Sequence, residues 1–355
     1  MSYIPKPSFR HPQLPVNDLG LTVRDYEGAL STLCAGCGHD SISSAVMQAC
    51  HQMALEPYRV AKMSGIGCSS KTPNYFLNQA HGFNAVHGRM PSVTTGANLA
   101  NRDLIYIGMS GDGDTASIGI GQFIHAVRRR LNMVYIVANN GTYGLTKGQN
   151  SATADRGSLA KKGSANPWDN VDLVTMAIQA GAGFVARSFS GDKAQLVPLL
   201  QAAIAHNGFA FIDCISPCVT FNNHRGSTKS FDYVREHNTA LNRTDFIPMK
   251  EEITADYQPG EFTDVCLHDG SVMRLHKMAA DGAAGYDPQD RVAALDHIQR
   301  RSAAGEVLTG LLYLEPNAPD MHEVMETAEQ PLNQLGEREL CPGREVLQTI
   351  NASFR

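Results

Sequence analysis

The sequence predicts an α/β protein, a mainly parallel sheet flanked by helices, with a C-terminal hairpin-and-helix extension. Three observations carry this. Apolar, β-branched runs of five to seven residues recur between about residues 30 and 230. Each is followed by a loop and then by apolar residues at helical spacing. The runs are apolar throughout rather than alternating, so both faces are buried, as in a parallel sheet sandwiched between helices.

Taken in order, the expected strands are "RVAKMSGI" (59–66), "LIYIGMS" (104–110), "MVYIVAN" (133–139), "GFVARSF" (183–189) and "FAFIDCIS" (209–216). The expected helices cover 39–53, 72–80, 92–101, 116–130, 170–180 and 191–206. Beyond about residue 235 the pattern changes. "GEFTDVCLHDGSVMRLHKM" alternates around His268-Asp269-Gly270 and reads as a hairpin. A polar helix near 288–303 follows, then "TGLLYLEPNAPDMHEVMET" and a tail. The chain thus divides into an N-terminal arm (1–29), a main domain (30–235) and an extension (236–355), expected to pack as an arm on the main domain or on a partner.

At 43% hydrophobic and 18% charged residues the composition is that of a soluble globular protein. A net charge of −5 argues against general binding to nucleic acid or to an anionic membrane. The polar, proline-rich start has no signal-peptide pattern, and no apolar run approaches the ~20 residues of a membrane span. The expected location is cytoplasmic. In such a chain the eight cysteines (34, 37, 50, 68, 214, 218, 266 and 341) are ligands or buried thiols rather than a disulfide framework.

Ligands of parallel sheets sit at the carboxyl ends of the strands, and the strand at 104–110 ends in Gly111-Asp112-Gly113-Asp114 before a helix. Two glycines allow a tight turn and close approach to a ligand. A helix N-terminus attracts phosphate, yet a carboxylate among those donors would repel it. The conflict is resolved if a divalent cation bridges Asp112 to phosphate oxygens, as Mg²⁺ commonly does. The next strand ends in Asn139-Asn140, with 25 residues, Asp114 through Ala138, between the two motifs. Either motif alone is an ordinary turn. Their placement at consecutive strand ends, one crossover apart, resembles the signature of the thiamine-diphosphate-binding fold. That resemblance implies Mg²⁺ held by Asp112, Asn140 and the carbonyl of Thr142, with Gly111, Gly113 and Asp114 lining the cofactor.

"CAGCGH" (34–39) admits a redox dithiol, half of a zinc site or half of an iron–sulfur site. "SGIGCSSK" places Cys68 at the end of the strand beginning near Arg59, and "ISPCVTFNNHRG" places Cys218 just after the strand 209–216. Four thiolates suit a [4Fe–4S] cluster or a Cys₄ zinc site. One close pair plus two distant single residues fits zinc less well.

Together, "CAGCGH…GIGCSSK…HGR…GDGD…NNGTYGLTKGQ…SPCVTFN" resembles the β subunits of 2-oxoacid:ferredoxin oxidoreductases over roughly residues 30–240. The likeness is greatest to the two-subunit 2-oxoglutarate type. It implies a [4Fe–4S] cluster on Cys34, Cys37, Cys68 and Cys218, with Gly67 beside the cofactor. His87 and Arg89 of "VHGRMPS" would lie against the diphosphate, which a guanidinium can grip bidentately. Leu145 would pack by a cofactor ring. Lys71 and Lys147 would face substrate, Lys147 pairing with a distal carboxylate.

The implied reaction is coenzyme A-dependent oxidative decarboxylation of a 2-oxoacid, possible in both directions, with 2-oxoglutarate ahead of pyruvate or a broad range. Electrons would pass singly through the cluster to ferredoxin. No pyrimidine-binding domain is visible in the sequence. The resemblance therefore also implies a larger α subunit supplying the pyrimidine-activating glutamate and a substrate-binding arginine, in an (αβ)₂ assembly. The rival readings are a non-redox thiamine-diphosphate decarboxylase or synthase, and a zinc-binding module without catalysis. The run Arg128-Arg129-Arg130 is explained by its place at a helix C-terminus, and Trp168 as a loop anchor.

Overall fold

The structure is a computed structural model, and it describes residues 13–158, 165–220, 253–266, 272–278, 286–341 and 343–354. The main segment runs α1 (Gly38–Gln52), β1 (Val60–Ser64), β2 (His81–Asn84), α2 (Met90–Ala100), β3 (Ile105–Gly111), α3 (Ile120–Arg128) and β4 (Met133–Asn139). A two-residue hairpin, β5 (Thr142–Tyr143) and β6 (Gln149–Asn150), comes next. Then follow α4 (Leu173–Ala180), β7 (Phe184–Phe189), α5 (Lys193–Ala205) and β8 (Phe209–Ile215). The C-terminal segment contributes β9 (Phe262–Cys266), β10 (Val272–Lys277), α6 (Arg291–Ala303) and β11 (Val307–Leu314).

Among the described residues, nine strands form one sheet in the order β2-β1-β3-β4-β8-β7-β11-β10-β9. From β2 to β7 every pairing is parallel. Strand β4 shows why its run is apolar without alternation. Met133, Tyr135 and Val137 enter one core with Phe123, Phe209 and Phe211, while Val134, Ile136 and Ala138 enter the other with Ile42, Val46 and Phe76. Helices α1 and α5 cover the second face, and α2, α3, α4 and α6 the first. The strand directions bring the loops after β1, β3, β4 and β8 to one rim, side by side.

The helix expected at 72–80 is not one. A 3-10 turn spans Ser69–Asn74, and the chain then enters β2, an exposed edge strand. Pro73 supplies no backbone N–H and disfavours helical Thr72, and Leu77 adopts a positive φ of 47°. The helix expected at 116–130 is split. A π-helical turn covers Gly113–Ile118, and the α-helix begins only at Ile120, after Gly119.

The expected hairpin forms from β9 and β10; its turn, including His268-Asp269-Gly270, lies outside the described residues, as does the boundary near 235. The C-terminal segment continues the main sheet, because β11 pairs antiparallel with β7 and β10 pairs with β11. Buried Lys277 reaches Asp192, the N-cap of α5, at 2.6 Å and tethers β10 to the main segment. Arg130 pairs with Glu315 at 3.5 Å, and Trp168 is exposed. Among the described residues no helix is long and apolar enough to cross a membrane.

Candidate functional site

The rim begins at Asp112, where β3 stops. Its carboxylate is only 2% exposed. Oδ1 accepts the Asn140 backbone N–H at 3.3 Å, and Oδ2 accepts the Thr153 hydroxyl at 2.9 Å and the Ser151 hydroxyl. Burial pushes its pKa up, against the pull of those donors. Among the described residues its partners are hydroxyls and N–H groups, none of them a cation. A buried carboxylate without countercharge is expensive, and a divalent cation would relieve it. Asn140 is therefore placed beside Asp112, as its own side chain accepts the Thr142 N–H at 3.1 Å. Thr142 is fixed in the β5–β6 hairpin, its hydroxyl donating to the Gln149 carbonyl at 2.9 Å.

The glycines around Asp112 are required by close approach. A Cβ on Gly113 would strike the ring of Tyr143, whose hydroxyl donates to the Gly113 carbonyl at 3.1 Å. A Cβ on Gly111 would come 2.8 Å from Ser69 Oγ, in the turn that carries Lys71. Asp114, also buried, binds a different set of groups. Its Oδ1 meets His87 Nδ1 and accepts the Gly88 N–H at 2.6 Å, while Oδ2 accepts the Ser110 hydroxyl at 2.6 Å. Asp114 thus fixes the His87-Gly88-Arg89 loop to the end of β3. A Cβ on Gly65 would collide with Asp114 Oδ2.

The four singled-out cysteines converge from three loops. Cys37 is the N-cap of α1, and Cys34 lies one turn earlier, its carbonyl accepting the Cys37 N–H at 3.1 Å. Cys68 leads into the 69–74 turn and Cys218 follows β8. Burial, with smaller contributions from Cys218, Asp40 and Cys34, pushes the Cys37 thiol up to about 12. Burial likewise raises Cys68, with Cys218 and Cys34 adding to it and the Lys71 ammonium opposing. Cys37 and Cys68 therefore resist ionising beside their neighbours, a charge problem that a cationic metal centre solves. Thr220 donates to Cys34 Sγ at 3.2 Å, tying the β8 loop to the first pair. Among the described residues no three ligand side chains are already drawn into a closed metal-coordination sphere; the thiols are neighbours rather than a closed cage. Cys50 and Cys214 lie in the apolar core, whereas Cys266 and Cys341 are exposed.

Other expected residues are spread more widely. Arg89 is exposed at the N-cap of α2. Leu145 and Lys147 lie exposed at the tip of the β5–β6 hairpin, Lys147 at a left-handed φ of 81°. Gly67 takes a φ of 138°, which a side chain would resist. Sequence reasoning missed Ser110, Ser151 and Thr153, because hydroxyls carry no spacing signal. It also missed buried His39, whose Nδ1 lies 2.6 Å from Ser216 Oγ. Beside the Asp112 loop opens a cavity of about 650 Å³ lined by Asn139, Asn140, Thr153, Arg187 and Asp213 among others.

Comparison with known proteins identifies the family. The family described as "Thiamine pyrophosphate enzyme, C-terminal TPP binding domain" matches residues 63–214, which take in Asp112 and Asn140. A 2-oxoacid:ferredoxin oxidoreductase subunit beta from Sulfolobus sp is 43% identical over 190 residues, covering 53% of this chain and 62% of that protein. The 2-oxoglutarate synthase subunit KorB of Methanocaldococcus jannaschii is 35% identical over 254 residues, covering 69% of this chain and 91% of the relative. Among solved structures, a 2-oxoglutarate:ferredoxin oxidoreductase from Magnetococcus marinus, with 2-oxoglutarate, coenzyme A and succinyl-CoA bound, superposes with a TM-score of 0.69 at 27% identity, covering 90% of this chain and 94% of that one. Sequence matches to the Sulfolobus relative thus span less than two thirds of its length, while those to the Methanocaldococcus relative span nearly all of it. The chain belongs to the family of 2-oxoacid:ferredoxin oxidoreductase β subunits.

Proposed function

We propose that this chain is the β subunit of an enzyme that oxidatively decarboxylates a 2-oxoacid, 2-oxoglutarate foremost, to its coenzyme A thioester, passing single electrons to ferredoxin. The observation that supports this best is the side-by-side order of β1, β3, β4 and β8. Cys68, Asp112, Asn140 and Cys218 follow these strands, which supports placing a diphosphate site and a four-thiol site on one rim.

In this reading Asp112, Asn140 and the Thr142 carbonyl hold Mg²⁺, which carries the diphosphate of thiamine diphosphate. Asp112 supplies the negative charge, and burial concentrates its field on the cation. His87, oriented by Asp114, and Arg89 face the phosphates, with Gly67, Gly111, Gly113 and Leu145 lining the cofactor. When bound, thiamine diphosphate supplies the electron sink for decarboxylation. Cys34, Cys37, Cys68 and Cys218 hold a [4Fe–4S] cluster, with the Lys71 ammonium beside Cys68 favouring its thiolate. Lys147 receives the distal carboxylate of a dicarboxylic substrate. A larger α subunit provides the activating glutamate and a substrate arginine, in a cytoplasmic (αβ)₂ assembly.

The test is to purify the chain anaerobically with its natural partner and assay 2-oxoacids with coenzyme A and a viologen acceptor. Dye reduction that needs both coenzyme A and 2-oxoglutarate supports the reading. Preference for pyruvate would move the substrate assignment, and decarboxylation without dye reduction would place the protein with non-redox thiamine enzymes.

A further inference from the structure

Asp213 is an odd residue for its place, a carboxylate inside the apolar strand "FAFIDCI" and 2% exposed. A buried charge must be paired and hydrogen-bonded. Arg187 from the adjacent β7 donates through Nε to Asp213 Oδ2 at 2.9 Å, and through Nη2 to Asp172, the N-cap of α4, at 2.8 Å. The other oxygen of Asp213 accepts Asn139 Nδ2 at 3.1 Å.

That bond settles which way the Asn139 amide faces. Only its NH₂ can meet a carboxylate, so its oxygen is turned the other way. There it accepts from Thr153 Oγ1 at 3.0 Å, and the single Thr153 proton is shared with Asp112 Oδ2 at 2.9 Å in a three-centre bond. A continuous hydrogen-bonded chain therefore runs Asp172–Arg187–Asp213–Asn139–Thr153–Asp112, with Asp213 and Asp112 buried and the other members half-buried. Its middle members line the cavity of about 650 Å³.

We propose that Thr153 is a positioning residue for Asp112, held in place through Asn139 by the Asp213–Arg187 pair. This rests on the reading of Asp112 as a Mg²⁺ ligand. Oδ2 is engaged by Thr153 and Ser151, so the carboxylate is fixed in rotation before any cation arrives. Fixing it in advance removes the ordering cost from the binding step. Partners of this kind typically change metal affinity 10–100-fold. The competing role is that of a structural ion pair that only stiffens the sheet. It predicts changes in stability without changes in cation affinity.

The experiment titrates Mg²⁺ and thiamine diphosphate into the cofactor-stripped complex with the α subunit, following intrinsic fluorescence. Thr153→Val keeps the shape and removes the hydroxyl. It should raise the apparent Kd for Mg²⁺ about tenfold, with unchanged Tm of the stripped protein, and Thr153→Ser should restore it. Asp213→Asn should raise the Kd less. The double variant should match Thr153→Val alone, because the effect of Asp213 passes through Thr153. An unchanged Kd in Thr153→Val, a lowered Tm without a Kd change, or additive effects in the double variant would each overturn the inference while leaving Asp112 as a ligand. Wild type that binds no Mg²⁺ with thiamine diphosphate would overturn the underlying reading as well.

Discussion

The backbone N–H of Ser216 donates to the carbonyl oxygen of Asn139 at 2.8 Å. Ser216 also meets His39 through its side chain, two residues after Cys37. One residue thus joins the asparagine strand end, the first turn of α1 and the loop leading to Cys218. The two candidate centres are parts of one hydrogen-bonded rim, so their spacing is set by the fold.

The cysteines can be sorted by this rim. Replacing Cys34, Cys37, Cys68 or Cys218 by Ser should lower iron and acid-labile sulfide in anaerobically purified protein to below half of wild type. Cys266→Ser and Cys341→Ser, both at exposed positions, should leave them unchanged. Cys214→Ser places a hydroxyl in the apolar core and should cost about 1–3 kcal/mol in stability with full iron content. Metal analysis and urea unfolding check both halves.

Gly65→Ala should weaken thiamine diphosphate binding at least tenfold. The new Cβ would collide with Asp114 Oδ2, and Asp114 holds His87 and Gly88 in place. Calorimetric titration of the complex gives the answer. Binding equal to wild type would show that this loop does not contribute.

Lys62 gives the protein a pH dependence away from the site. It is buried in β1, donates to the Phe76 carbonyl at 2.8 Å, and burial lowers its pKa from 10.5 to about 8. Between those values the unfolded chain holds the proton that the folded chain has lost, so Lys62 makes stability rise with pH through that window. Below pH 8 the cost of burying the ammonium is fully present. Lys62→Met abolishes this rise. Urea unfolding at pH 7, 8.5 and 10 should show wild type gaining on the variant as pH increases, whereas parallel curves would refute it.

Much of this fold is written in the sequence because buried parallel strands must be apolar on both faces. The runs at 133–139 and 209–216 match β4 and β8 within a residue. The edge strand β2 was illegible for the opposite reason: all four of its residues are exposed, so "HGFN" shows no apolar pattern. The pairing of β11 with β7 depends on contacts far apart in the chain, which local periodicity does not encode. At the site, residues with distinctive chemistry and spacing were visible: Asp112, Asn140 and the cysteines. Thr153, Ser151 and Ser216 act through geometry alone, and common hydroxyl residues reveal nothing until the fold brings them to a partner.

Lys147→Ala addresses substrate choice. Lys147 is exposed at a positive φ, and Ala meets the same backbone cost there, so the substitution removes the charge without adding strain. KM for 2-oxoglutarate should rise about tenfold, the loss of roughly one charge-assisted hydrogen bond, and KM for pyruvate should hardly change. Equal rises would remove Lys147 from substrate selection.

The most direct measurement is anaerobic. The purified complex, loaded with thiamine diphosphate and Mg²⁺, is mixed with 2-oxoglutarate and followed by visible absorption and electron paramagnetic resonance. Bleaching of an iron–sulfur chromophore, abolished by Asp112→Ala and absent from Cys218→Ser, is the predicted result. A protein that carries its full iron and cofactor yet shows no change in the chromophore on adding any 2-oxoacid would contradict it.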